Sequence, residues 1–451
     1  MIRNYFIARM ILAGLVLSLP LTVLTAHDVS AQNYNKKTRY EDSNYQRNTQ
    51  RGKGFEEEFG RTVKEASIRR RPRRDYDPIG ARGHGFIFYP YASAELLFDD
   101  NIFASDTGAQ DDLVWKSSAG VKAESDWGRH FLGFELDVED YRHSDQQSED
   151  HTNVAGSVKG RYDIYHDTAL YGMFSVVNGH ENRGAGSALS SNQAAEPTEY
   201  VAVKAASYLE KTIGRSTIQV SGSVEHFDYD DVAAVAGGSL DQDSRDGYIY
   251  KGGLRKSYNF SPGYNLFGTV EVNSRDFKGG GGTPDRDSNG VEARAGVEFE
   301  ATRVIATEFS IGYLHQDYDN SAFSDVESLA LKSALVWNPT QLMTVNFDAS
   351  RVVSETTVTN ASGRLDTLVN AQIDYEILRN VIGSVKGGYM LEDYQGVSRE
   401  DETVTAGISV DYLVNRRMRT KLYYTHQNRD SNTATFDYEK NIFGGALKVQ
   451  F

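Results

Sequence analysis

The sequence predicts an all-β chain: a transmembrane, antiparallel, up-and-down β-barrel of about eighteen strands behind a disordered N-terminal leader. Three observations predict it. From Phe86 to Phe451, apolar and polar side chains alternate through segment after segment. The connections between those segments alternate in length, short then long. The chain opens on an export signal and ends on an amphipathic strand whose last residue is Phe451.

Residues 1–31 are expected to be a signal peptide. Arg3 and Arg9 make a basic start, Ile11 to Ala26 is apolar, and Val29-Ser30-Ala31 places small side chains before Gln32. The apolar run is shorter than the roughly 20 residues that a spanning helix needs. An exported chain with barrel strands belongs in the cell outer membrane of a Gram-negative envelope.

Residues 32–85 are expected to be a disordered, polar periplasmic leader. Gln32 to about Ala81 shows no hydrophobic period and carries the run Arg69-Arg70-Arg71-Pro72-Arg73-Arg74. Such a segment buries too little apolar surface to offset chain entropy. The plainest reading is a solvated linker. Contact of the arginines with anionic lipid, peptidoglycan or a partner is the alternative, and Phe55 to Arg70 has weak helical character.

Residues 86–451 are the expected barrel. In one segment Val291, Ala293, Ala295, Val297 and Phe299 oppose Glu292, Arg294, Glu298 and Glu300. In another Val369, Ala371, Ile373, Tyr375 and Ile377 oppose Asn370, Gln372, Asp374 and Glu376. A period of two with one greasy and one wet face is the signature of a strand between lipid and water. The predicted strands are 87–98, 113–125, 130–142, 152–165, 168–180, 199–211, 216–228, 247–259, 264–277, 289–301, 305–318, 326–337, 341–354, 365–378, 381–394, 402–414, 418–429 and 435–451.

Short turns are expected at 126–129, 213–215, 261–263, 338–340 and 379–380, and long loops near 99–112, 143–151, 181–198, 229–246, 278–288, 319–325, 355–364, 395–401 and 430–434. Short turns at one end and long loops at the other is the layout of outer-membrane barrels. A soluble sandwich or propeller has no need of that order, and no blade repeat is present. The closing pattern Gly444-x-x-Leu447-x-Val449-x-Phe451 resembles the signal read by barrel-assembly machinery, an expected partner together with outer-membrane lipid and lipopolysaccharide.

Composition excludes other classes. Cys is absent, so no disulfide, thiolate metal site or lipoprotein anchor exists. The formal charge of -15 speaks against nucleic acid, which needs a basic face. The mean hydropathy of -0.51 speaks against a helical membrane protein, but not against a barrel whose strands are half wet. No H-E-x-x-H or G-x-S-x-G motif is present, so an enzyme is not expected. No cofactor or metal motif is legible. Asp241 to Gly247 partly matches a calcium loop, but Gly252 stands where a bidentate Glu is needed. The long loops are acidic, and oxygen clusters there could share divalent cations with lipopolysaccharide.

A closed barrel of this strand number is too wide for its own side chains to fill, so a channel or a plugged lumen follows. The predicted pore-lining residues are Lys159, Arg161, Lys251, Arg255, Glu271, Arg275, Glu292, Arg294, Glu298, Glu300, Lys386, Arg419 and Lys421. Their signs are mixed. They suit either a ladder of ion pairs that stiffens the wall or a polar track for a hydrated solute. Tyr89, Tyr91, Tyr165, Tyr171 and Tyr208 are expected inward, where tyrosine can stack on a sugar ring. Loop 181–198 is rich in Gly, Ala, Ser and Asn, and the sequence leaves open whether it folds inward or stays outside.

Tyr89-Pro90-Tyr91-Ala92-Ser93-Ala94-Glu95 followed by Phe98-Asp99-Asp100-Asn101-Ile102-Phe103 resembles the start of the putative beta-barrel porin family of proteobacteria. The likeness runs from about residue 86 to the C-terminus. It implies an outer-membrane conduit linked to exopolysaccharide and its export apparatus, and it brings no catalytic or ligand residues. A general diffusion porin is the first alternative, and a structural or adhesive barrel with a plugged lumen the second.

Overall fold

Eighteen long strands make one antiparallel sheet that closes on itself. The computed structural model describes residues 66–279, 285–301 and 303–451, so the expected signal peptide lies outside the described residues. The barrel strands are β1 (Phe86–Asp99), β2 (Asp112–Ser125), β3 (Phe131–His143), β4 (His151–Tyr165), β5 (Thr168–His180) and β6 (Glu199–Ile213). Next come β7 (Ser216–Tyr229), β8 (Gly247–Ser261), β9 (Tyr264–Phe277), β10 (Ser288–Ala301), β11 (Ile305–Tyr318) and β12 (Val326–Thr340). The last six are β13 (Met343–Ser354), β14 (Arg364–Leu378), β15 (Val381–Tyr394), β16 (Glu400–Asn415), β17 (Met418–Ser431) and β18 (Tyr438–Gln450). The predicted strand ends differ from these by three residues at most.

Each strand pairs with the next, and β1 pairs with β18 from Tyr91↔Gln450 to Asp99↔Ile442. Closure leaves no bare edge, which a lipid environment would not tolerate. The alternation decides which way each residue points. Leu254, Ile408 and Leu422 are 51%, 54% and 69% exposed, and they belong to the apolar rows. Charged residues such as Arg255 and Lys421 stand beside them in the intervening row. The sheet is therefore greasy outside and polar inside, the reverse of a soluble β-protein.

The turn after β1 fastens the seam. Asp100 accepts hydrogen bonds from the backbone and side-chain N–H groups of Asn441, at 2.6 and 2.8 Å. The Asn101 amide donates to the carbonyls of Ser105 and Glu439, both at 2.9 Å. Lys440 pairs with Asp99 at 2.7 Å. Three consecutive polar residues thus tie the first strand to the last.

The expectation of a disordered leader over residues 32–85 is corrected for its described part. From Ala66 onward the chain is ordered. Ile68 is 1% exposed and packs with Ile382 and Leu413. Ala81–Gly83 adds a short strand paired with β1. The segment has too few apolar groups to fold alone, but the inner wall supplies what it lacks.

Candidate functional site

The functional site of a barrel is its lumen, and this lumen is built from the even or odd row of each strand that opposes the lipid row. The mid-wall is a set of short-range ion pairs. Lys204 meets Glu225 at 2.9 Å, and Arg255 meets Glu308 at 3.2 Å and pairs with Glu298. Arg294 pairs with Glu292 and donates to the Ser310 hydroxyl at 2.9 Å. Lys116 meets Glu139 at 2.9 Å and Arg161 meets Asp163 at 2.8 Å. Three of these six pairs link adjacent or next-nearest strands, two lie within one strand and Arg255–Glu308 reaches from β8 to β11, so they brace the wall and leave its charge nearly balanced.

The thirteen residues singled out from the sequence lie on β4, β8, β9, β10, β15 and β17. Lys251 and Arg255 lie on β8, opposite Asn273 and Thr269 of β9; Glu271 and Arg275 lie on that same strand. Glu292, Arg294, Glu298 and Glu300 follow on β10. Lys159 and Arg161 are on β4. Lys386 lies across from Gly407, where a larger residue would strike its methylenes. Arg419 and Lys421 are on β17. Arg275 lies near the loop-bearing end of β9, where it bonds Glu355 at 2.6 Å and the Val353 carbonyl at 3.0 Å.

The inward tyrosines need correction. Tyr165 lies at a bulge before a turn and is 66% exposed. Tyr89, Tyr91, Tyr171 and Tyr208 face inward but are already engaged. Tyr171 and Tyr208 stack on each other with ring centroids 4.3 Å apart. Tyr91 bonds Asp137, and its ring lies under the Lys448 ammonium at 3.9 Å. Neighbouring strands bring Tyr171 and Tyr208 together, and Tyr91 is held by Asp137 and Lys448.

The short-turn end carries the feature that sequence reading missed. Arg69 enters the lumen and meets Asp374 of β14 at 2.8 Å, Asp411 of β16 at 3.0 Å and the Ser384 hydroxyl of β15 at 2.5 Å. Arg71 and Arg73 both pair with Glu376, the second at 2.7 Å. The Ile68 backbone N–H donates to the Thr344 hydroxyl of β13 at 2.9 Å. Burial lowers the pKa of Arg71, the expected sign for a cation taken out of water. The basic run and the acidic row were both visible in the sequence. Nothing in the sequence put one inside the other.

At the opposite end, loop 181–198 folds inward and crosses from β5 and β6 to β14–β17. The Tyr394 hydroxyl donates to the Gly186 carbonyl at 3.0 Å, and Arg429 donates to the Gly184 carbonyl. The loop lands on a buried charge cluster. Arg364 meets Glu392 at 3.0 Å and Asp366 at 2.5 Å. Arg429 meets Glu392 at 2.5 Å and Asp401 at 2.6 Å, and Arg399 meets Asp401 at 2.6 Å. Two more pairs hold the loop root, Arg183 with Glu149 at 2.7 Å and Arg245 with Glu181 at 2.6 Å. Farther out, carboxylate oxygens of Asp231, Asp241 and Asp243 lie within 4.8 Å of one another, all on exposed residues.

A closed, lipid-facing, eighteen-stranded wall around a charged lumen defines an outer-membrane β-barrel of the porin-like channel class. The chain belongs to the family described as "Putative beta-barrel porin 2", whose model matches residues 73–451. No match is found among curated proteins. Among solved structures it is similar to OccAB4 of Acinetobacter baumannii, at 11% identity and a TM-score of 0.43, covering 81% of this chain and 98% of that one. It is also similar to OccK2 (OpdF) of Pseudomonas aeruginosa, at 10% identity and a TM-score of 0.44 over the same shares of the two chains. The outer membrane protein OpdK of Pseudomonas aeruginosa follows at 10% identity and a TM-score of 0.41, covering 81% and 99%.

Proposed function

We propose that this protein is a gated outer-membrane conduit for an exopolysaccharide, narrowed at rest by two segments of its own chain. The observation that carries the reading is the pair of inserted segments: the arginine leader at the short-turn mouth and loop 181–198 at the other. A porin for unselective diffusion gains nothing from an ion-paired plug. A conduit for a polymer, used only while polymer is made, needs a resting closure. The near-balanced charge of the mid-wall favours a neutral or mixed-charge polymer over a strong polyanion.

Two measurements test it. Deleting the gene should abolish surface polymer while synthesis continues; unchanged secretion removes the export claim. In planar bilayers the intact protein should conduct weakly, and the variant carrying Arg69→Ala, Arg71→Ala and Arg73→Ala should conduct severalfold more. Steady, open conductance of the unaltered protein would favour the diffusion porin, a reading supported by the polar lumen. Silence from both proteins would favour the plugged structural barrel. Lipopolysaccharide, the barrel-assembly machinery and an export apparatus are the partners this reading calls for.

A further inference from the structure

We propose that His143, His151 and His180 form a binding site for a borderline divalent transition metal, with Zn²⁺ as the natural probe. The three residues end β3, begin β4 and end β5 at the loop-bearing rim. The rings of His151 and His180 lie 3.4 Å apart between centroids, and those of His143 and His151 lie 6.1 Å apart.

The hydrogen bonds around the rings are the second observation. His151 Nδ1 faces the Glu149 carbonyl at 2.6 Å. His143 Nδ1 faces the Asp150 carboxylate at 3.3 Å. His180 Nδ1 faces the Asn153 side-chain oxygen at 3.0 Å. A carbonyl or carboxylate oxygen only accepts, so each Nδ1 carries the proton, and the Nε2 lone pair of His151 is left without a partner. That is the outer-shell arrangement of metal-binding histidines. His151 Nε2 is buried and has no hydrogen-bond partner, an unfavourable state that an ion would relieve. Imidazole sets of this kind suit zinc, copper and nickel rather than calcium or magnesium.

The rings do not yet converge on one point. Closing them takes side-chain rotation, and His180 must exchange its hydrogen bond with Asn182 for the ion. His180 is also the last residue before Glu181, where loop 181–198 begins. A metal there would pin the root of the loop that crosses the lumen.

The test uses the full chain refolded in detergent, with Zn²⁺ alone titrated by calorimetry. One equivalent should bind, and excess Ca²⁺ should not compete, which separates this site from the acidic group at Asp231. His143→Ala, His151→Ala and His180→Ala should each weaken binding at least tenfold, and His315→Ala on β11 should leave it unchanged. Equal binding by wild type and a variant carrying all three histidine substitutions, or none by wild type, overturns the proposal. His151→Gln serves if the alanine variant does not refold. The Cu²⁺ spin-resonance spectrum of the wild type then decides independently: coupling to several imidazole nitrogens supports the site, and oxygen-only coupling sinks it.

Discussion

Arg429 sits between Glu392 and Asp401, and all three side chains are 3% exposed or less. Removing it leaves buried carboxylates with too few partners, which costs about 3–5 kcal/mol in comparable sites. Arg429→Ala should therefore lower the urea midpoint of the lipid-refolded barrel and release loop 181–198 to protease. Gly184 has a φ of +77°, and an added Cβ would lie 2.8 Å from both Ala104 and Tyr438. Gly184→Ala should cost about 1 kcal/mol or more, because strain and crowding act together. Its predicted signature is a looser loop with an intact barrel, read by proteolysis against circular dichroism. Asp287 provides a pH handle in the loop before β10. Burial raises its carboxyl to about 6, and the neighbouring Asp285 and Asp276 add to that. A raised carboxyl binds its proton more tightly in the folded state, so its unfavourable contribution is relieved as pH falls through about 6 towards the ordinary carboxylate range near 4. The stability difference between Asp287→Asn and wild type should shrink from pH 7 to pH 5, measured by parallel urea titrations; a constant difference would refute the assignment.

Strands in this barrel are legible because one side of each meets lipid. Ile311, 45% exposed in the middle of β11, belongs to the lipid row. Ile311→Arg should cost about 2–4 kcal/mol of barrel stability at the bilayer midplane. A loss under about 1 kcal/mol, the value expected near the interfaces, would move that row out of the membrane. The same alternation predicts a lumenal position for the thirteen charged residues, since parity fixes a side chain's face. Contacts across the lumen were not legible. Parity says that Asp374 and Asp411 point inward, and is silent on which cation from elsewhere in the chain will meet them.

For the whole molecule, the seam and the two inserted segments set the behaviour. The seam joins residues more than three hundred positions apart, such as Asp100 and Asn441. Its residues were singled out through a family resemblance, while their task became clear only on closure. The leader plug rests on ion pairs of partly exposed arginines: the Arg69 and Arg71 side chains are each 22% exposed. Salt screens such pairs, with a Debye length of about 3 Å at 1 M. Conductance of the intact protein should therefore rise more steeply with ionic strength than bulk conductivity does. The triple arginine variant should track bulk conductivity; identical curves would mean that the leader does not gate.

By itself the sequence determined the barrel fold class, the strand number and the strand ends within a few residues. These are local properties, carried by a period of two and by turn chemistry. Only the tertiary structure decided that the leader enters the lumen, that loop 181–198 crosses it, that Tyr171 stacks on Tyr208 and that three histidines share one rim. Each of those depends on which strands become neighbours and which wall stands opposite. Barrel closure sets those relations, and no short window of sequence encodes them.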